Sequence, residues 1–171
     1  MSYLELFGLS GSGKSTLVRK MAGEKDAVTV HSLDYGKMGI LFKPPIGFAF
    51  RLMRVLLKHG VPEIGIVKRL VVRYYLYSKW SRFHYISDHG FIQTFLSSHR
   101  LMKEARVNPA FVRDFLSILP PGKYGYIPVG VDEAFRREVK RGKFRDWGKD
   151  EIRRHLRLQA KAIRQIQECW S

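Results

Sequence analysis

Eight residues near the start of the chain, Gly8-Leu9-Ser10-Gly11-Ser12-Gly13-Lys14-Ser15, restrict what it can fold into more than any other feature. They match G-x-x-x-x-G-K-[ST] in full, a pattern with a physical content. The glycines let the backbone curl into a nest whose N–H groups converge on phosphate oxygens. A helix that starts at the end of the nest adds its positive pole to the same place. Lys14 then reaches the β- and γ-phosphates as a mobile point charge, and the Ser15 hydroxyl is a hard oxygen ligand for Mg²⁺. The expected nucleotide-binding set is Gly8, Ser10, Gly11, Ser12, Gly13, Lys14, Ser15 and Thr16, holding ATP or GTP. The flanks agree: Tyr3 to Phe7 is a short apolar run suited to a buried strand, and Ser15 to Ala22 has helical spacing at Leu17, Val18 and Met21.

Further along, strands and helices alternate. Residues 27–31, 83–87 and 123–131 are rich in β-branched and aromatic residues and predict three more strands. Helices are predicted over 47–59 and 63–80, divided by Gly60-Val61-Pro62, and over 91–102. Asn108-Pro109 offers an N-cap followed by proline at the first helical position, for a helix ending before Pro120-Pro121. Asp132 and Asp150 each stand where a helix begins. Such alternation gives parallel βαβ units and predicts an α/β protein: a three-layer α/β/α fold with a short parallel sheet, of the P-loop NTPase type. Ligands of such sheets sit at the carboxyl ends of the strands, where the phosphate loop also falls.

At 171 residues the chain is read as a single domain over 1–171, with 36–82 as a helical acceptor-site or insertion region and 132–149 as a lid-like segment. Cys169 is the lone cysteine, so no internal disulfide forms, and no apolar stretch is long enough to span a bilayer. A cytoplasmic setting is the expectation. The net charge of +16 is unevenly spread. Residues 47–82 carry eight basic side chains against one acid, Glu63, and residues 136–164 carry twelve against four. A field of that kind attracts polyanions: nucleotides, nucleic acid, phosphorylated substrates or anionic lipid.

Three further places resemble the small P-loop kinases, the group of nucleoside monophosphate, thymidylate, shikimate, gluconate and adenylylsulfate kinases. Val30-His31-Ser32-Leu33-Asp34 puts an acid just after the second strand. In these kinases an aspartate there approaches the acceptor hydroxyl and accepts its proton; a turn aspartate ahead of Tyr35-Gly36 is the other reading of Asp34. Ser87-Asp88-His89-Gly90 is similar to the Asp-Arg-Gly type motif that ends the third strand of thymidylate-kinase-like proteins, with His89 in place of arginine. By that resemblance Asp88 holds Mg²⁺ or contacts the acceptor. Arg136-Arg137-Glu138-Val139-Lys140-Arg141-Gly142 is similar to their Arg-x-x-x-Arg-Gly lid. Arg137 and Arg141 share a helix face, and the resemblance assigns them to neutralising the transferring phosphoryl group; a solvated basic face is the alternative.

The resemblance implies a kinase that takes the γ-phosphoryl of ATP, with Mg²⁺, to a small hydroxyl- or phosphate-bearing acceptor, an anionic one by preference. The implied catalytic residues are Lys14, Asp34, Asp88, Arg137 and Arg141, with Ser15 and Asp88 at the metal. A polynucleotide 5′-end kinase is a second expectation, given the basic charge, and nucleic acid is then a partner. A third is a P-loop ATPase, switch or non-catalytic nucleotide-binding module with a basic partner surface. The sequence lacks the Leu-Ser-Gly-Gly-Gln signature of transporter ATPases and the Asn-Lys-x-Asp motif of GTPases. The small P-loop kinases have a fifth strand after the lid, whereas here only a helical pattern follows it.

Overall fold

The computed structural model describes residues 2–25, 28–29, 46–61, 63–80, 84–98, 108–142 and 144–170. Among these residues four strands, β1 (Ser2–Phe7), β2 (Val28–Thr29), β3 (His84–Ser87) and β4 (Lys123–Tyr126), form one sheet in the order β2-β3-β1-β4. Every pairing is parallel, with Tyr3 opposite Tyr85 and Glu5 opposite both Ser87 and Tyr124. The helices among the described residues are α1 (Lys14–Lys25), α2 (Ile46–Lys58), α3 (Ile64–Trp80), α4 (Phe91–Leu96), α5 (Pro109–Ser117), α6 (Val131–Arg141) and α7 (Lys149–Trp170). This is the three-layer α/β/α architecture expected from the alternation of elements.

The two-residue period of β1 sorts its side chains between the layers. Leu6 meets Val18 of α1 and Ile86 on one face, with Leu4, Met21 and Ile127 around them. Tyr3 and Phe7 point to the other face, into a larger core shared by α2 to α7. That core is strongly aromatic. Tyr3 makes edge contacts with Tyr77, Phe91 and Tyr124, and Phe95 stacks on Phe115. Such pairs add to the burial of their large apolar areas.

Several element boundaries differ from the sequence expectation for local reasons. The fourth strand stops at Tyr126 rather than 131: Ile127 still donates its N–H to the Phe7 carbonyl, but β1 ends there and turns into the loop, where the Leu9 carbonyl accepts from Ser12 N–H instead. The following helix starts at Val131 with Gly130 as N-cap, so Asp132 lies in its first turn. The last helix likewise starts at Lys149, one residue ahead of Asp150. Asn108 caps α5 as expected, its Oδ1 accepting from Phe111 N–H at 2.8 Å. Among the described residues no strand follows α6, and α7 packs against α5 and α6 instead.

One residue in β1 breaks the apolar rule for a buried strand. Glu5 is fully buried. Its Oε2 accepts from Tyr3 Oη at 3.0 Å and from the Phe91 amide at 2.8 Å, while Oε1 accepts from the Gln93 amide at 2.8 Å. Those amides belong to the first turn of α4, where a helix has no internal acceptors of its own. The close approach demands Gly90, because a Cβ there would run into the Glu5 carboxyl group and Tyr3 Oη. Burial nevertheless outweighs the hydrogen bonds and lifts the Glu5 pKa from 4.5 to about 7.

A raised pKa in the folded state means that stability is greatest below the unfolded-state value and is lost as pH rises to about 7. Between pH 5 and pH 8 the Glu5 contribution should fall by on the order of 2–3 kcal/mol. Urea unfolding of wild type and Glu5→Gln at both pH values isolates it. The difference in unfolding free energy between the two proteins should shift toward the glutamine variant at pH 8.

Candidate phosphate-binding site

The turn from β1 into α1 is built as the sequence pattern requires. Gly11 and Gly13 have φ of 83° and 89°, a region closed to most side chains. Among the described residues nothing lies within 4 Å of where a Cβ on Gly13 would stand, so none of them closes the loop there. Inside the loop, Ser12 N–H donates to the Leu9 carbonyl at 3.1 Å, and the Thr16 and Leu17 amides close on Gly13. Lys14 is folded over the nest, its Nζ donating to the Leu9 carbonyl at 2.7 Å, to Ser12 Oγ at 3.0 Å and to the Gly8 carbonyl at 3.2 Å. The ammonium is thus seated over the nest, at a position from which it can turn to an anion.

Two buried glutamines brace the loop from outside. Gln93, on α4, accepts from Gly8 N–H through Oε1 at 3.2 Å. Since the Gln93 amide is bound by Glu5, the carboxylate in β1 sets the position of the side chain that fixes the loop's first residue. Gln159, on α7, accepts from Ser10 N–H at 3.3 Å and donates through Nε2 to the Leu96 carbonyl at 2.9 Å. Both amide groups satisfy backbone that would otherwise be buried without a partner.

A cleft of about 60 Å³ lies over this nest, lined by Ser10 to Ser15 together with His89, Gln93, Ser97 and Arg141. The floor is the loop and Lys14. One wall comes from the turn and helix that follow β3, the other from the end of α6. Of the residues singled out in the sequence, the structure brings Ser10, Gly11, Ser12, Gly13, Lys14, Ser15 and Arg141 to one cleft, whereas Gly8 and Thr16 do not line it. Asp88 is buried at the end of β3, next to His89 in that wall. Arg137 has a different setting from Arg141: its Nε donates to Glu133 at 2.8 Å and its Nη1 to the Gly11 carbonyl at 3.2 Å. The bond from Arg137, with Arg136 beside it, holds the Glu133 carboxyl below its ordinary pKa. Asp34 lies outside the described residues, as do the nearby residues 30–45.

The sequence reading passed over Glu5, Gln93, Gln159 and Glu138. A lone acid in an apolar strand was the available signal for Glu5; the glutamines sit in helices whose other features are ordinary.

Oxygen donors and a phosphate nest are what Mg²⁺ and a nucleotide polyphosphate need. Magnesium is commonly held by one or two protein oxygens plus phosphates rather than by a protein cage, and Ser15 and Asp88 are donors of that kind. Among the described residues no cluster of three or more His, Cys, Asp or Glu forms a self-sufficient metal site. No helix among them is long and apolar enough to cross a membrane.

No protein-family model matches the sequence, and no curated protein matches it. Solved structures do. The deoxyadenosine kinase from M. mycoides with bound dATP matches 98% of this chain and 86% of its own, at 13% identity and a TM-score of 0.57. The same enzyme with bound dCTP matches 97% and 85%, at 14% identity and a TM-score of 0.54. Its complex with the products dCMP and a flexible dCDP matches 95% and 84%, at 13% identity and a TM-score of 0.56. Agreement over nearly the whole of both chains at such low identity is agreement in backbone path. The chain has the α/β fold of the small P-loop kinases.

Proposed function

We propose that this chain is an ATP-dependent kinase that phosphorylates a hydroxyl group of a nucleoside. The observation that carries the proposal is the cleft in which Lys14, Ser15 and Arg141 meet over the glycine nest, within a fold matched along its length by a deoxynucleoside kinase. The nest amides and Lys14 hold the β- and γ-phosphates, Lys14 exchanging its carbonyl partners for phosphate oxygens. Ser15 and Asp88 would hold Mg²⁺, which neutralises phosphate charge when bound. Arg141 adds positive charge to the lining of the cleft. The acceptor hydroxyl oxygen bonds to the γ-phosphorus as the bond from that phosphorus to the β,γ-bridging oxygen breaks, leaving ADP. The hydroxyl proton passes to a carboxylate, the role we assign to Asp34. A cytoplasmic setting accords with ATP as donor.

Protein incubated with γ-labelled ATP and Mg²⁺ should label a nucleoside or deoxynucleoside in preference to nucleoside monophosphates, phosphosugars, hydroxy acids or 5′-hydroxyl oligonucleotides. Lys14→Ala should reduce transfer by roughly 10²-fold or more. Label on the oligonucleotide alone would replace the proposal with a polynucleotide kinase. Hydrolysis without transfer to any acceptor would replace it with an ATPase.

Excess chelator should stop the transfer and added Mg²⁺ should restore it. Asp88→Asn should raise the Mg²⁺ concentration for half-maximal rate by about tenfold. An unchanged Mg²⁺ dependence in that variant would remove Asp88 from the metal site.

A further inference from the structure

Beside the phosphate cleft stands a charged group that the proposed chemistry leaves unused. Glu138, in α6, has a fully buried side chain, and neither carboxylate oxygen accepts a hydrogen bond among the described residues. Its ion pair is with Arg141, whose Nη1 lies 3.5 Å from Oε1. The same Oε1 is 3.2 Å from where a Cβ on Gly11 would stand, so the carboxylate is pressed against the outer wall of the loop. Arg141 itself is half exposed and lines the cleft with Ser10 to Ser15.

A buried carboxylate cannot give up a neighbouring cation without leaving its own charge uncompensated. Glu138 therefore restrains Arg141. An arginine at an exposed helix end otherwise samples many rotamers and loses that freedom on engaging a ligand. One guanidinium nitrogen faces the carboxylate at a distance too long for a strong hydrogen bond, which leaves the fork of donors for an incoming oxyanion. Arg141 also shares the cleft with His89 and Gln93, which follow β3.

We infer that Glu138 is a positioning residue: it fixes Arg141 where the guanidinium meets the terminal phosphate of a nucleoside triphosphate, so that the pair selects triphosphate over diphosphate. The inference rests on the phosphate-donor reading of the cleft. Dissociation constants for fluorescent ATP and ADP analogues, with Mg²⁺, test it in wild type, Glu138→Gln, Arg141→Gln and the double variant. Each single substitution should reduce the preference for ATP over ADP by about tenfold, and the double variant should lose no more than either one.

Tighter ATP binding in Glu138→Gln would overturn the inference, since Glu138 would then compete with phosphate for Arg141. An equal loss for ATP and ADP would also overturn it, marking a role in folding alone, as would additive effects in the double variant. Binding of neither nucleotide by wild type would overturn the donor reading as well. Where Glu138→Gln does not fold, Glu138→Asp keeps the charge and shortens its reach. A wild-type preference in that variant would count against the restraint, and a reduced one for it.

Discussion

A single carboxylate, buried in the central strand, sets the geometry on which the phosphate site depends. Glu5 has no solvent to share its charge with, so its oxygens are taken up by Tyr3 Oη and by the first amides of α4. That requirement docks α4 end-on against β1 and obliges residue 90 to be glycine. It also orients Gln93, whose other end holds the Gly8 amide. The path from strand to helix to loop is two hydrogen bonds long, and each bond satisfies a group that burial would otherwise penalise.

The loop itself was legible because its chemistry leaves few alternatives. Positive φ at Gly11 and Gly13 demands glycine, and a phosphate nest followed by a helix demands the rest in order. Strands rich in β-branched residues and the Asn108-Pro109 cap were legible for the same reason: they obey short-range rules. The bracing residues obey long-range ones. Gln159 is 149 positions from Ser10, and nothing local to α7 announces that its amide faces the loop. The end of β4 misleads in the opposite way, since Val129 and Val131 look like strand residues while their partner strand has already turned into the loop after Phe7.

The two arginines of the lid-like segment show the limit of periodicity. Arg137 and Arg141 are four apart and share a face, yet their neighbours divide them. Glu133, one turn before Arg137, draws it back along the helix and onto the Gly11 carbonyl. Arg141 has Glu138 behind it and the cleft in front. Charge counts treat both as members of one basic run; the acid about one turn before each decides what it can reach.

The bracing of the loop by Gln93 and Gln159 has a thermodynamic consequence. A phosphate nest that is loose before its ligand arrives must surrender conformational entropy to bind, and affinity falls accordingly. Here the amides of Gly8 and Ser10 are already tied to side chains rooted in α4 and α7, and Lys14 is already seated on loop carbonyls. Capture of a polyphosphate is then chiefly an exchange of partners by one ammonium group over a backbone that is already ordered. The enthalpy of that exchange, rather than the ordering of a flexible loop, governs how affinity changes with temperature.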